Sequence, residues 1–124
     1  MKILFLDDDL NRCKKVRQEC VGHVITIVHT VNEAKQALDS DVFDLISLDH
    51  DLGEKQMCAS DSDSGYEVAK YLSQLTNGNQ QAVVIIHSMN PIGSDNMLNL
   101  LRDNDIKAYK LIFGCNLFWK TISQ

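Results

Sequence analysis

Three short polar clusters interrupt an otherwise apolar rhythm: Asp7-Asp8-Asp9, Asp49-His50-Asp51 and His87-Ser88-Met89-Asn90. Carboxylates that share one cleft raise each other's pKa and cannot all stay ionised without compensation. A hard divalent cation is the simplest remedy. The oxygen donors Asp7, Asp8, Asp49 and Asp51 suit Mg²⁺, with Mn²⁺ as substitute, and such ions keep waters and a substrate phosphate in their shell. His87 is then a candidate general acid or base, because imidazole titrates near neutrality, and His50 a further candidate beside the site. Ser88 can donate to a phosphoryl oxygen, Asn90 can orient a ligand, and Lys110 is a candidate cation for the phosphoryl group. Plainer roles exist for the same residues. Asp9 suits a helix cap, His87 a core histidine, and Ser88 with Asn90 a turn before Pro91. Strand alternation turns His50 away from Asp49.

Each cluster follows an apolar run, which is what places the three together. Lys2 to Leu6 reads as a buried strand stopping at the aspartates, and Leu10, Cys13, Val16 and Cys20 recur at helical spacing up to Gly22. His23 to Val28 is a second strand, and Thr30 with Glu33 forms a capping box for a helix carrying Ala34, Ala37 and Leu38. Leu45 to Leu48 is a third strand. Residues 54–64 are polar without periodicity and read as a loop; Asp61 and Asp63 lack the Gly and terminal Glu of an EF-hand. Ser64 and Glu67 open a helix with Val68, Ala69, Leu72 and Leu75, and Val83 to His87 is a fourth strand. A turn over 88–93 leads to a helix from near Ser94, a fifth strand over Ile106 to Ile112 and a closing helix over Leu117 to Ile122. Five alternations imply a single α/β domain over 1–124 with a mostly parallel sheet covered on both faces. Ligands of such sheets sit beyond the carboxyl ends of the strands, where all three clusters fall.

Composition bounds the partners. The chain has 124 residues with 17 acids against 12 Lys plus Arg, a net charge of -5, and 13 of the acids are Asp. An acidic balance argues against binding in a duplex DNA groove, which calls for a basic face. No run nears the roughly 20 apolar residues of a membrane helix, and the acidic start is unlike a signal peptide, so a cytoplasmic protein is expected. The four cysteines show neither C-x-x-C nor finger spacing, and Cys13 and Cys20 are expected to be small core residues.

Asp7-Asp8 after the first strand and Asp49 at the end of the third resemble the receiver domain of bacterial response regulators. That resemblance implies Mg²⁺ at the three aspartates, Asp49 as phosphoacceptor, Ser88 as the switch hydroxyl and Lys110 as the match to the lysine that ends strand five. The stretches S-L-D-H-D-L-G (47–53) and H-S-x-N-P-x-G (87–93) depart from ordinary receivers and are similar to the cyclic-phosphate processing receiver domain. This resemblance implies a flavodoxin-like fold with five parallel strands in the order 2-1-3-4-5 and helices on both faces. It also implies metal-dependent opening of a cyclic phosphate on an RNA end or nucleotide, with Asp49, His87, Ser88 and Asn90 catalytic and Ser88, Asn90, Lys110 and His50 holding the phosphate. The alternatives are a signalling receiver that phosphorylates Asp49 and switches a separate protein partner, and a non-catalytic nucleotide-binding module.

Overall fold

The computed structural model describes residues 1–52 and 64–122. Strand β1 (Lys2–Leu6) lies between β2 (Val24–Val28) and β3 (Leu45–Leu48), and β4 (Val83–Ile86) and β5 (Ala108–Lys110) follow outward. All pairings are parallel and the order is 2-1-3-4-5. The central strands are apolar at nearly every position because helices bury both of their faces.

Side-chain parity assigns each strand residue to one face. Ile3, Phe5, Leu45 and Ile85 pack with Cys13 and Val16 of α1 (Leu10–Glu19), with Cys20 that caps it, and with Phe118 and Ile122 of α5 (Asn116–Ile122). Leu4, Leu6, Ile46, Leu48, Val84 and Ile86 pack against α2 (Val31–Ser40), α3 (Gly65–Gln74) and α4 (Pro91–Asp103). Cys13 and Cys20 are buried free thiols, as their spacing suggested. Burial, with the Asp7 and Asp9 carboxylates adding to it, pushes the Cys13 thiol up to about 11.

Two boundaries differ from the sequence expectation. Helix α4 begins at Pro91, not near Ser94: Asn90 Oδ1 accepts the Gly93 N–H at 3.0 Å, and Pro91 fills the first helical turn, where its missing N–H costs nothing. The turn-forming residues are therefore the cap of the helix. Strand β5 has three residues rather than seven, because β4 ends at Ile86 and offers its neighbour no longer ladder. The expected loop 54–64, apart from Ser64, lies outside the described residues, as do Gly53, Cys58, Asp61 and Asp63. Among the described residues, no helix is long and apolar enough to cross a membrane.

Candidate metal and phosphate centre

Register and parity together build the site. Leu6 pairs with Leu48, and Leu48 with Ile86, so the residues one step further, Asp7, Asp49 and His87, stand side by side on adjacent strands. The ladder continues to them: the Asp49 N–H donates to Leu6 O at 3.1 Å and the His87 N–H to Leu48 O at 3.0 Å. All three carry the parity of the α1/α5 face. Their ligating atoms lie within 4.8 Å of one another, and all three residues are buried. The first contact of the set is at β1 and β3, where the strand order reverses and open α/β sheets bind ligands.

Asp7 is fully buried and its hydrogen-bonding capacity is filled. Oδ1 accepts from the Asp9 N–H at 2.9 Å and from Arg12 Nη2 at 3.0 Å; Oδ2 accepts from Arg12 Nε at 2.7 Å and faces His87 Nε2 at 3.0 Å. Burial pushes this carboxyl up, but the His87 and Arg12 hydrogen bonds outweigh it and hold the group below the usual carboxylate range. Asp49 differs. Its carboxylate accepts the His50 N–H at 2.9 Å and meets Arg12 only at 3.5 Å. Burial dominates, and with Asp7 beside it the Asp49 carboxyl is raised to about 6 despite the opposing pull of His87 and Arg12.

His87, expected to carry protons, has both ring nitrogens engaged. Nε2 faces Asp7, Nδ1 lies 2.7 Å from Ser47 Oγ, and the ring stacks on Phe5 with centroids 4.7 Å apart and planes 7° apart. An ionised carboxylate only accepts, so the ring donates from Nε2 to Asp7, while Nδ1 shares a hydrogen bond with the Ser47 hydroxyl. In this arrangement His87 positions Asp7 and has no nitrogen left for a substrate.

The other expected site residues sit apart from this triplet. Asp8 is half-buried and is not among the three converging ligands. Asp9 caps α1, its Oδ1 accepting the Asn11 and Arg12 N–H groups at 2.9 and 3.0 Å. Asp51 does not stand with Asp49. The chain leaves strand geometry after Leu48, and the Asp51 carboxylate turns to His50 Nδ1 at 2.8 Å and Asn90 Nδ2 at 3.2 Å. His50 faces the α4 side, as alternation anticipates. A Cβ on Gly93 would lie 2.5 Å from its ring, so only glycine lets the α4 terminus close over it. Asn90 is buried by its capping and Asp51 bonds, whereas half-buried Ser88 accepts the Asn90 N–H at Oγ, 3.1 Å away. Lys110 does not reach the centre: its parity is that of the α4 face, and its Nζ pairs with Asp95 Oδ1 at 2.6 Å on the surface.

Arg12 and Ser47 are the residues sequence reasoning missed. Both had a signal. A cation in the first turn of a helix opposes the helix dipole, which suggests an acid close by. Ser47 is a lone hydroxyl in a strand of Leu, Ile and Leu, and a buried hydroxyl needs a partner.

Gly65 closes the site from the α3 side. Its N–H donates to His50 O at 2.8 Å, and a Cβ there would sit 1.8 Å from the Asp49 carbonyl oxygen, a backbone atom. Gly65→Ala is therefore expected to cost about 3 kcal/mol or more by overpacking. An unchanged urea midpoint would contradict this contact.

A family model described as the cyclic-phosphate processing receiver domain matches residues 2–103. No curated protein matches the chain. Among solved structures, the receiver domain of the Francisella response regulator 1452 is 19% identical with a TM-score of 0.70, over 98% of this chain and 92% of that one. A two-component response regulator from Clostridium difficile is 24% identical, TM-score 0.66, over 94% and 86%. The Thermotoga maritima response regulator TrrA, solved in complex with Mg²⁺-BeF, is 20% identical, TM-score 0.66, over 98% and 95%. At these identities the likeness shows the fold.

Proposed function

From the premise that this chain belongs to the cyclic-phosphate processing receiver domain family, we propose that it opens a cyclic phosphate on an RNA end or nucleotide with a divalent cation. The observation that carries this reading is the convergence of Asp7, Asp49 and His87 within 4.8 Å at the switch point of the sheet. The two buried carboxylates, Asp7 and Asp49, offer hard oxygen donors that suit Mg²⁺ or Mn²⁺. Asp7 and Asp49 would hold the ion. When bound, such an ion polarises phosphoryl oxygens and lowers the pKa of bound water.

In the reaction, water adds to phosphorus and one ester P–O bond breaks; its electron pair goes to the sugar oxygen, which takes up a proton. The chain's own residues position this chemistry. Ser47 and Phe5 fix the His87 ring, and the ring fixes Asp7. Asn90 holds the first turn of α4 and Asp51, which sets the segment that carries Ser88. The Ser88 hydroxyl accepts the Asn90 N–H and keeps its own proton to donate to a phosphoryl oxygen. Lys110, tied to Asp95, has no part in this reading.

The test is turnover of a nucleoside 2′,3′-cyclic phosphate followed by ³¹P NMR with Mg²⁺, with Mn²⁺ and with chelator. Metal-dependent conversion to a linear phosphomonoester, lost in Asp49→Ala, is expected. Labelling of Asp49 by acetyl phosphate without turnover would replace this reading with the phosphoacceptor one. Binding without either reaction would leave a nucleotide-binding module.

A further inference from the structure

Asp7 has two oxygens with about four acceptor positions between them, and all are in use. A divalent ion therefore cannot bond Asp7 until one donor leaves. The Asp9 N–H is fixed by the backbone at the start of α1, where Asp9 itself is the cap. His87 is fully buried at its side chain, stacked on Phe5 and bonded to Ser47. Arg12 is different: its side chain is 31% exposed, it reaches in from the helix, and it has solvent to retreat to. It also stands in the place of a bound cation, because its Nη2 lies between Asp7 Oδ1 at 3.0 Å and Asp49 Oδ2 at 3.5 Å.

We propose that Arg12 is a tethered counter-cation that a divalent ion must displace, so that Arg12 sets the metal affinity of the centre and keeps it closed to weakly held cations. The inference rests on the metal-dependent reading above. Its physical content is a competition. The ion gains the Asp7 and Asp49 oxygens only at the expense of the guanidinium's charge-assisted hydrogen bonds, two of them to Asp7. Bonds to charged groups of this kind are worth about tenfold or more in an equilibrium constant. His87 and the Asp9 N–H stay in place throughout and keep Asp7 oriented for the incoming ion.

Calorimetric titration of the full chain and of Arg12→Gln with Mg²⁺ and Mn²⁺, without substrate, tests this directly. Arg12→Gln is expected to bind both ions at least about tenfold more tightly than the wild type. In the wild type, the Arg12 Nε–H resonance is expected to be slowly exchanging without metal and to shift and lose protection as Mg²⁺ is added. Equal or weaker binding by a folded Arg12→Gln, with clear binding by the wild type, would overturn the competition and leave the metal reading standing. Should the variant not fold, an Arg12 resonance unmoved at saturating Mg²⁺ overturns it equally. No binding by either protein removes the metal reading itself and this inference with it.

Discussion

Asp7→Ala is expected to be among the most destabilising single changes in this protein, costing about 3–5 kcal/mol in urea unfolding even without metal. The carboxylate is fully buried and accepts hydrogen bonds from Arg12, His87 and the Asp9 N–H. Removing it leaves a buried imidazole without its acceptor and a partly buried guanidinium without its counter-charge. Arg12 can swing outward, which moves the expected cost toward the lower end, but His87 cannot, because Phe5 and Ser47 pin its ring. Asp7→Asn is no remedy. One amide group would present N–H donors to the donors already converging there, so a loss close to that of alanine is expected. The pH dependence has a definite sign. The Asp7 pKa is lowered on folding, so its stabilisation is fully present above its ordinary value of 3.8 and is lost as pH falls below that through the folded value. A variant as stable as the wild type at neutral pH would mean that the Asp7 network contributes nothing net.

The sequence made much of this centre legible because the strands are short and buried on both faces. A run of apolar residues that stops at a polar one marks a strand end, and Asp7, Asp49 and His87 are three such ends. Parallel strands then bring them level, and parity puts them on one face. Parity turned His50 away and would equally have excluded Lys110, which pairs with Ile86 and so shares the parity of the α4 face. The loss of Asp51 from the cluster was not legible, because it depends on where the chain leaves the strand and on the Asn90 and His50 groups that receive it. Arg12 was missed for a related reason. Its partner lies five residues back across a strand-to-helix junction, outside the helical spacings by which charge pairs are usually recognised. The start of α4 was hidden by chemistry shared between turns and caps: Asn-Pro serves either, and only the Gly93 N–H on Asn90 decides between them.

The second carboxylate should respond in the opposite direction. Asp49→Asn is expected to stabilise the metal-free protein at pH 7 while abolishing divalent binding. Folding raises this carboxyl from 3.8 to about 6, chiefly by burial, so at neutral pH the native state holds an ionised group it would rather protonate. At about 1.4 kcal/mol per pKa unit, the penalty is at most about 3 kcal/mol. Asparagine keeps an oxygen for the His50 N–H and gives up the 3.5 Å approach of Arg12 and the attraction of His87, both of which are outweighed by burial. A net gain of about 1–3 kcal/mol is expected, read as a higher urea midpoint. The linkage fixes the pH window. Between about 3.8 and about 6 the native state binds more protons than the unfolded one, so stability from Asp49 rises as pH falls through that range. Below 3.8 the loss from Asp7 takes over. These two groups therefore place a stability maximum of the metal-free wild type on the acid side of neutrality, and Asp49→Asn should flatten the rise toward it. Saturating Mg²⁺ should reverse the slope in the wild type, because the ion binds ionised Asp49 and its stabilisation falls as protons compete. A wild type whose midpoint between pH 4 and pH 7 matches that of Asp49→Asn, with and without Mg²⁺, would show that Asp49 is neither strained by burial nor a ligand.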